Sequence, residues 1–135
     1  KRLSKARQYT HYNHTALIEM YRQVGNLILN REGIAQRGII IRHLVLPDDC
    51  SQTETVLKII KHHLGTEIHI SLMAQYFPAY YASHFPPINR KLTSNEYHRS
   101  LSLLESLGFE NGWCQEPEGI EETFAPDFTK KESWN

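Results

Sequence analysis

Cysteine is nearly missing from this chain. Cys50 and Cys114 are its two thiols, too few for a disulfide framework or a tetrathiolate metal site. No stretch approaches the roughly 18 uninterrupted apolar residues of a membrane span. The opening KRLSKARQYTHY has no apolar centre of the kind a secretory signal carries, so a cytoplasmic protein is expected, with no membrane contact. An excess of charge is lacking too. Fifteen Lys and Arg balance fifteen Asp and Glu, which speaks against bulk electrostatic binding to nucleic acid. The chain holds no G-x-G-x-x-G, P-loop, G-x-S-x-G, H-E-x-x-H or C-x-x-C, and no internal repeat. Phosphate-cradling loops, an esterase elbow and the common zinc sets are thereby set aside.

What remains is a chain of 135 residues, 40% apolar and 22% charged, the size and balance of one soluble globular domain. Its charge is polarised along the sequence. Up to Pro47 there are eight basic residues against Glu19 and Glu32, and from Phe109 onward seven acidic residues against Lys130 and Lys131. A solvated face followed by an acidic, weakly ordered tail over residues 109–135 is expected.

The hydrophobic pattern alternates between two periods. Ala16, Leu17, Met20, Tyr21, Val24, Leu27 and Ile28 form a helical stripe over residues 13–30, with Gly33 as its stop. Residues 39–46 are β-branched and almost continuously apolar, the signature of a strand covered on both faces. Ser51-x-x-Glu54 reads as a capping box for a helix closed by Gly65. In residues 68–73, Ile68, Ile70 and Leu72 alternate with His69 and Ser71, as in a strand. Thr93-x-x-Glu96 caps a last helix ended by Gly108.

This order predicts α/β architecture, with residues 39–46 and 68–73 as neighbouring parallel strands joined by a helix. Two strands make a poor sheet with two open edges. The chain therefore reads as a piece of a larger α/β domain such as a barrel, and self-association of the isolated piece is expected.

Ligands of parallel α/β sheets bind where strands end and helices begin. Arg42, inside an apolar strand, needs an anion or backbone carbonyls. A structural salt bridge and ligand binding both satisfy it. Gln75, Tyr76, Tyr80 and Tyr81 follow the second strand and offer polar groups and rings to a flat heterocycle, or merely pack a long loop. Neither the histidines, with His11 and His14 near a helix start and His62 and His63 expected to diverge, nor Cys50 makes a recognisable catalytic or metal-ligating set.

Several strings carry a resemblance. EMYRQVGNL (19–27), GIAQRGIIIRHLVLP (33–47), Gln75-Tyr76 with Pro78, and INRKLTSNEY (88–97) resemble the carboxyl-terminal half of radical S-adenosylmethionine proteins related to the pyruvate formate-lyase activating enzyme, in their poorly characterised branch. The resemblance covers residues 1–108. It implies the carboxyl-terminal part of a partial (β/α)₆ TIM-like barrel, in which a CxxxCxxC loop binds a [4Fe–4S] cluster that splits S-adenosylmethionine into methionine and a 5′-deoxyadenosyl radical. By the same resemblance Arg42 would help to hold S-adenosylmethionine from the fifth strand, and Gln75 and Tyr76 would lie near its adenosyl part. The family tends to place Pro-Tyr-His there, whereas Phe77 follows Tyr76 here. CxxxCxxC is absent, and Cys50 and Cys114 cannot replace three clustered thiolates. The resemblance thus implies a fragment of an iron–sulfur enzyme, inactive alone, with no catalytic residue or metal ligand on this chain and with a protein substrate such as a glycyl radical enzyme as its partner. The competing expectation is a non-catalytic half-barrel that binds a protein partner through its open edges and acidic tail.

Overall fold

Alternation within one strand organises the molecule. Ile68, Ile70 and Leu72 are each 0% exposed, while His69, Ser71 and Met73 between them are half-buried. A computed structural model, describing residues 8–114, shows why. The elements are α1 (Tyr9–Val24), β1 (Ile28–Leu29), β2 (Ala35–Arg37), β3 (Ile40–Leu44), α2 (Thr53–Leu64), β4 (His69–Met73), α3 (Ser94–Ser106) and β5 (Gly112–Cys114). Short 3₁₀ turns occupy Pro47–Asp49 and Tyr80–His84. Strands β3, β4 and β5 form one parallel sheet with β4 at its centre. The expected parallel pair joined by a helix is therefore present, as β3, α2 and β4.

All three helices share one face of that sheet. Leu57, Ile60 and Leu64 of α2, Leu104 of α3 and Phe109 bury against Ile68 and Ile70, and Leu17 and Tyr21 of α1 pack on the same cluster. A second cluster joins Val45, Leu72, Ala74 and Tyr97, with the Tyr97 hydroxyl donating to the Leu72 carbonyl at 3.0 Å. No described helix lies on the opposite face. Ile40, Leu44 and Trp113 are exposed there, so β3 is not covered on both faces by the described residues. No barrel closes among the described residues: β3 adds only an isolated parallel bridge from Ile39 to Asn26 at its outer edge.

Three expectations require correction. The first helix starts at Tyr9 and stops at Val24, where the Gly25 N–H bonds back to the Tyr21 carbonyl at 2.7 Å. Leu27 and Ile28 keep the helical phase by coincidence, for Ile28–Leu29 pairs antiparallel with Ala35–Arg37. The Asn30 side chain accepts from the Glu32 and Ile34 amides to shape that turn, and Gly33 lies within it. At α2, Ser51 does not cap: its hydroxyl accepts from the Leu46 amide at 3.1 Å, and Gln52 precedes the helix with no side-chain cap. Finally, residues 112–114 of the stretch expected to be irregular form a third strand. Residues 115–135 of the expected tail lie outside the described residues.

The Thr93-x-x-Glu96 box is realised, and Glu96 does more than cap. Its carboxylate accepts two Arg90 N–H groups at 2.8 Å each, the Asp48 amide at 2.8 Å, and the amide and hydroxyl of Thr93 at 2.9 and 2.8 Å. It thereby ties the turn after β3, the loop after β4 and the start of α3 to one point. Foremost the Arg90 pairing, then the Asp48 and Thr93 donors, hold this carboxyl well below the usual carboxylate range against the opposing effect of burial.

Two outcomes are expected. Because folding lowers the Glu96 pKa below its ordinary value of 4.5, the stability it contributes is whole above that value and is lost as pH falls through the folded pKa. Glu96→Gln should flatten the acid limb of a melting-temperature profile and cost about 1 kcal/mol at neutral pH, the scale of a lost helix cap. Gly112 sits at φ 140, and a Cβ there would strike the Ile70 carbonyl. Gly112→Ala should therefore detach β5, seen as lost hydrogen-exchange protection at the Ile70 amide, which bonds to the Asn111 carbonyl at 3.1 Å.

Candidate functional site

Chain direction decides which side chains meet on the bare face. Ile41 packs into the helix-side core, and His43 bonds through Nε2 to the Thr53 hydroxyl of α2 at 3.0 Å. Arg42 lies between them, so strand alternation sends its side chain to the opposite face. Register places it beside Ser71, and Ser71 beside Trp113. Arg42, Ser71 and Trp113 thus form one row across all three strands, with Ile40 and His69 in the row below and Leu44 and Met73 in the row above. Arg42 is exposed, and among the described residues its guanidinium has no hydrogen bond or ion pair. A salt bridge within these residues is therefore not what holds it.

Trp113 was not singled out from sequence, because a three-residue strand opening on glycine leaves no period to read. Its ring stands 5.7 Å from that of His69. The His69 Nδ1 is buried without a hydrogen-bond partner.

The structure separates the residues expected near an adenosyl group. Gln75 is exposed, just past the end of β4. Tyr76 turns to the helix side, where with Ala74, Leu92, Thr93 and Tyr97 it lines a cavity of about 180 Å³. Its hydroxyl donates to the Ile88 carbonyl at 2.7 Å, closing the base of the loop after β4. Burial raises the phenol pKa. Tyr76 is a neutral loop fastener facing away from Arg42. Tyr80 and Tyr81 sit farther along the same loop, exposed, with ring centroids 4.3 Å apart.

The turn after β3 is built differently. Asp48, Asp49 and Gln52 adopt φ values of 55, 51 and 50, a region that aspartate enters more readily than most residues and glutamine seldom does. Ser51 and Thr53 hydroxyls lie 3.0 Å apart, and the Asp49 carboxylate accepts the Thr53 amide at 3.0 Å. Burial lowers the His43 pKa, opposed by the nearby Asp49 charge, which keeps the imidazole neutral in this network.

Among the described residues no group of three or more His, Cys, Asp or Glu is placed to hold a metal ion. The histidines nonetheless cluster. The His62 and His63 rings do not diverge but meet at 4.8 Å, and His14 of α1 stands 6.3 Å from His63. Cys50 is half-buried. Burial, with Glu105 adding to it, raises the Cys114 pKa, which disfavours the thiolate that a nucleophile or metal ligand needs. No described helix is long and apolar enough to cross a membrane.

No protein-family model matches this chain, and no solved structure matches it. The chain is similar to the uncharacterized protein MJ0674 of Methanocaldococcus jannaschii, with 38% identity over 79 residues. That match covers 57% of this chain but 23% of the relative, so the chain spans about a quarter of the relative's length.

Proposed function

We propose that this chain is the carboxyl-terminal part of a larger radical S-adenosylmethionine barrel and that the bare face of its sheet lines the interior. The observation that carries this reading is Arg42, a guanidinium in mid-strand without a partner among the described residues, on a sheet whose three described helices all lie on the other side. A barrel of this class puts its helices outside and turns the other face of each strand to its interior, with ligands bound toward the carboxyl ends of the strands. The relative's much greater length supports a larger whole.

A guanidinium on a rigid strand presents several donors in one plane and fits the methionine carboxylate. Gln75, exposed beyond β4, is free to meet the adenosyl part, whereas the Tyr76 hydroxyl is committed to Ile88, leaving Tyr76 its ring and its hold on the loop. A [4Fe–4S] cluster does not fit residues 8–114, which offer no clustered thiolates; its ligands belong to another part of the protein. S-adenosylmethionine brings radical hydrogen abstraction to such enzymes. The part played by this chain is to bind and orient. A protein substrate of the glycyl radical type belongs to this reading, as does the reducing cytoplasm, which suits free thiols and clusters alike.

A second reading, a non-catalytic half-barrel that binds a protein, draws on the exposed Ile40, Leu44 and Trp113. In either case the isolated chain should self-associate through its open sheet edges.

The discriminating measurement is calorimetric titration of S-adenosylmethionine into the cluster-bearing longer protein, with iron content determined in parallel. Arg42→Lys keeps the charge but loses the fork. It should weaken binding by about 1.5–3 kcal/mol, the scale of a charged hydrogen bond, with Arg42→Ala equal or worse and iron content unchanged in both. Unchanged affinity in a folded variant would assign Arg42 to a contact with protein instead. A coding sequence without an upstream CxxxCxxC would favour the second reading.

A further inference from the structure

The loop after β4 carries a feature that neither reading uses. Phe77, Tyr80, Tyr81 and Phe85 are 47%, 85%, 62% and 51% exposed, and none joins either buried cluster. The base of the loop is nevertheless fastened. Tyr76 bonds to Ile88, Arg90 is held by Glu96, and backbone bonds link Ala79 to Phe77, Ala82 to Ala79 and Phe85 to Ala82 at 2.9, 3.1 and 3.0 Å. Tyr80 is even kept at φ 55, which sterics disfavour for a tyrosine. Exposed rings on an anchored frame lose little conformational freedom when a partner binds, the property that enriches tyrosine at recognition surfaces.

Area and charge select the occupant. At roughly 150–250 Å² per aromatic side chain, these exposures sum to on the order of 500 Å² of mostly apolar surface along the loop, with Tyr80 and Tyr81 in ring contact at its centre. That falls short of the roughly 800 Å² per partner typical of interfaces between folded proteins. A short segment fits it better than a second copy does. From residue 74 to residue 95 there is no Asp or Glu. The Lys91 ammonium lies 5.7 Å from the centroid of the Phe77 ring, and His84 stands 6.4 Å from the Tyr81 ring. Arg90 is already engaged by Glu96, so the loop lacks the row of cations that tracks phosphates in single-stranded nucleic acid.

We propose that the 77–91 loop is a docking site for a short acidic segment of another protein, which lays apolar side chains on Tyr80 and Tyr81 and meets a stretch free of acidic residues. This proposal stands on the loop alone and survives failure of the S-adenosylmethionine reading.

The test is to pan a library of random short peptides against the full chain, then measure the affinity of the selected peptides by fluorescence anisotropy. Selected peptides should combine Asp or Glu with large apolar residues. The double variant Tyr80→Asn, Tyr81→Ser should weaken them at least about tenfold with an unchanged circular dichroism spectrum, because both rings lie outside the core and asparagine tolerates the left-handed conformation. Lys91→Glu should weaken the same peptides, and added salt should weaken their binding to the wild type. The proposal is overturned by an absence of selected peptides, by a neutral or basic consensus, or by equal binding to the double variant. Preferential binding of oligouridylate, or a dimer that the double variant dissolves, would overturn it too and reassign the patch to nucleic acid or to a second copy.

Discussion

Everything described here depends on β4 burying one face and not the other. Ile68, Ile70 and Leu72 lie wholly out of water, and at about 1.5–3 kcal/mol per large aliphatic side chain they supply several kcal/mol of driving force on a single side. The helices have to collect there. Alternation then places His69, Ser71 and Met73 on the far side, and the parallel register extends that side through Arg42 and Trp113. The bare face is the geometric complement of the core, set by the same period.

Polar interactions then place the loops around this frame, and their magnitudes differ. The exposed pairs Glu19–Arg22 and Glu54–Lys58 are screened by water and contribute little. Glu96 is a different case, because five donors converge on its two oxygens and three chain segments depend on it. It fixes the rim where β3 and β4 end. The His43, Thr53, Ser51 and Asp49 network does the same work for the turn that leads into α2.

Much of this frame was legible in the residues. The strict alternation at 68–73 marks β4 because it arises from one-sided burial, and the β-branched run at 39–46 marks β3 through strand propensity, although its continuous apolar character does not correspond to cover on both faces among the described residues. Thr93 and Glu96 were read correctly as a cap because both partners of the box are local. Ser51 misled because its hydroxyl had a competing local acceptor role at Leu46. The end of α1 was misread because Leu27 and Ile28 continue a 3.6-residue phase while belonging to a hairpin stabilised by Asn30, a turn residue whose weight no period reveals. Strand β5 escaped notice since pairing with β4, not its own three residues, makes it a strand. For the candidate site, sequence identified Arg42 but could not choose its face; that required Ile41 and His43 to be seen on the helix side.

Arg42 also limits what can cover the bare face. While the face stays wet, an unpaired guanidinium costs little. Once apolar surface closes over Ile40, Leu44 and Trp113, the same charge loses its hydration, and an unpaired buried ion is penalised by several kcal/mol. A purely apolar cover is therefore unfavourable, and the covering partner has to bring a carboxylate, a phosphate or converging carbonyls to Arg42. In a barrel that anion arrives with the ligand, and in an interaction module it arrives on an acidic side chain of the partner. Lysine would satisfy a point charge in either setting. The planar fork of arginine, fixed on a strand between Ile41 and His43 and level with Ser71, is best used by a planar oxyanion, so a carboxylate satisfies it equally well on a small ligand or on the side chain of a partner.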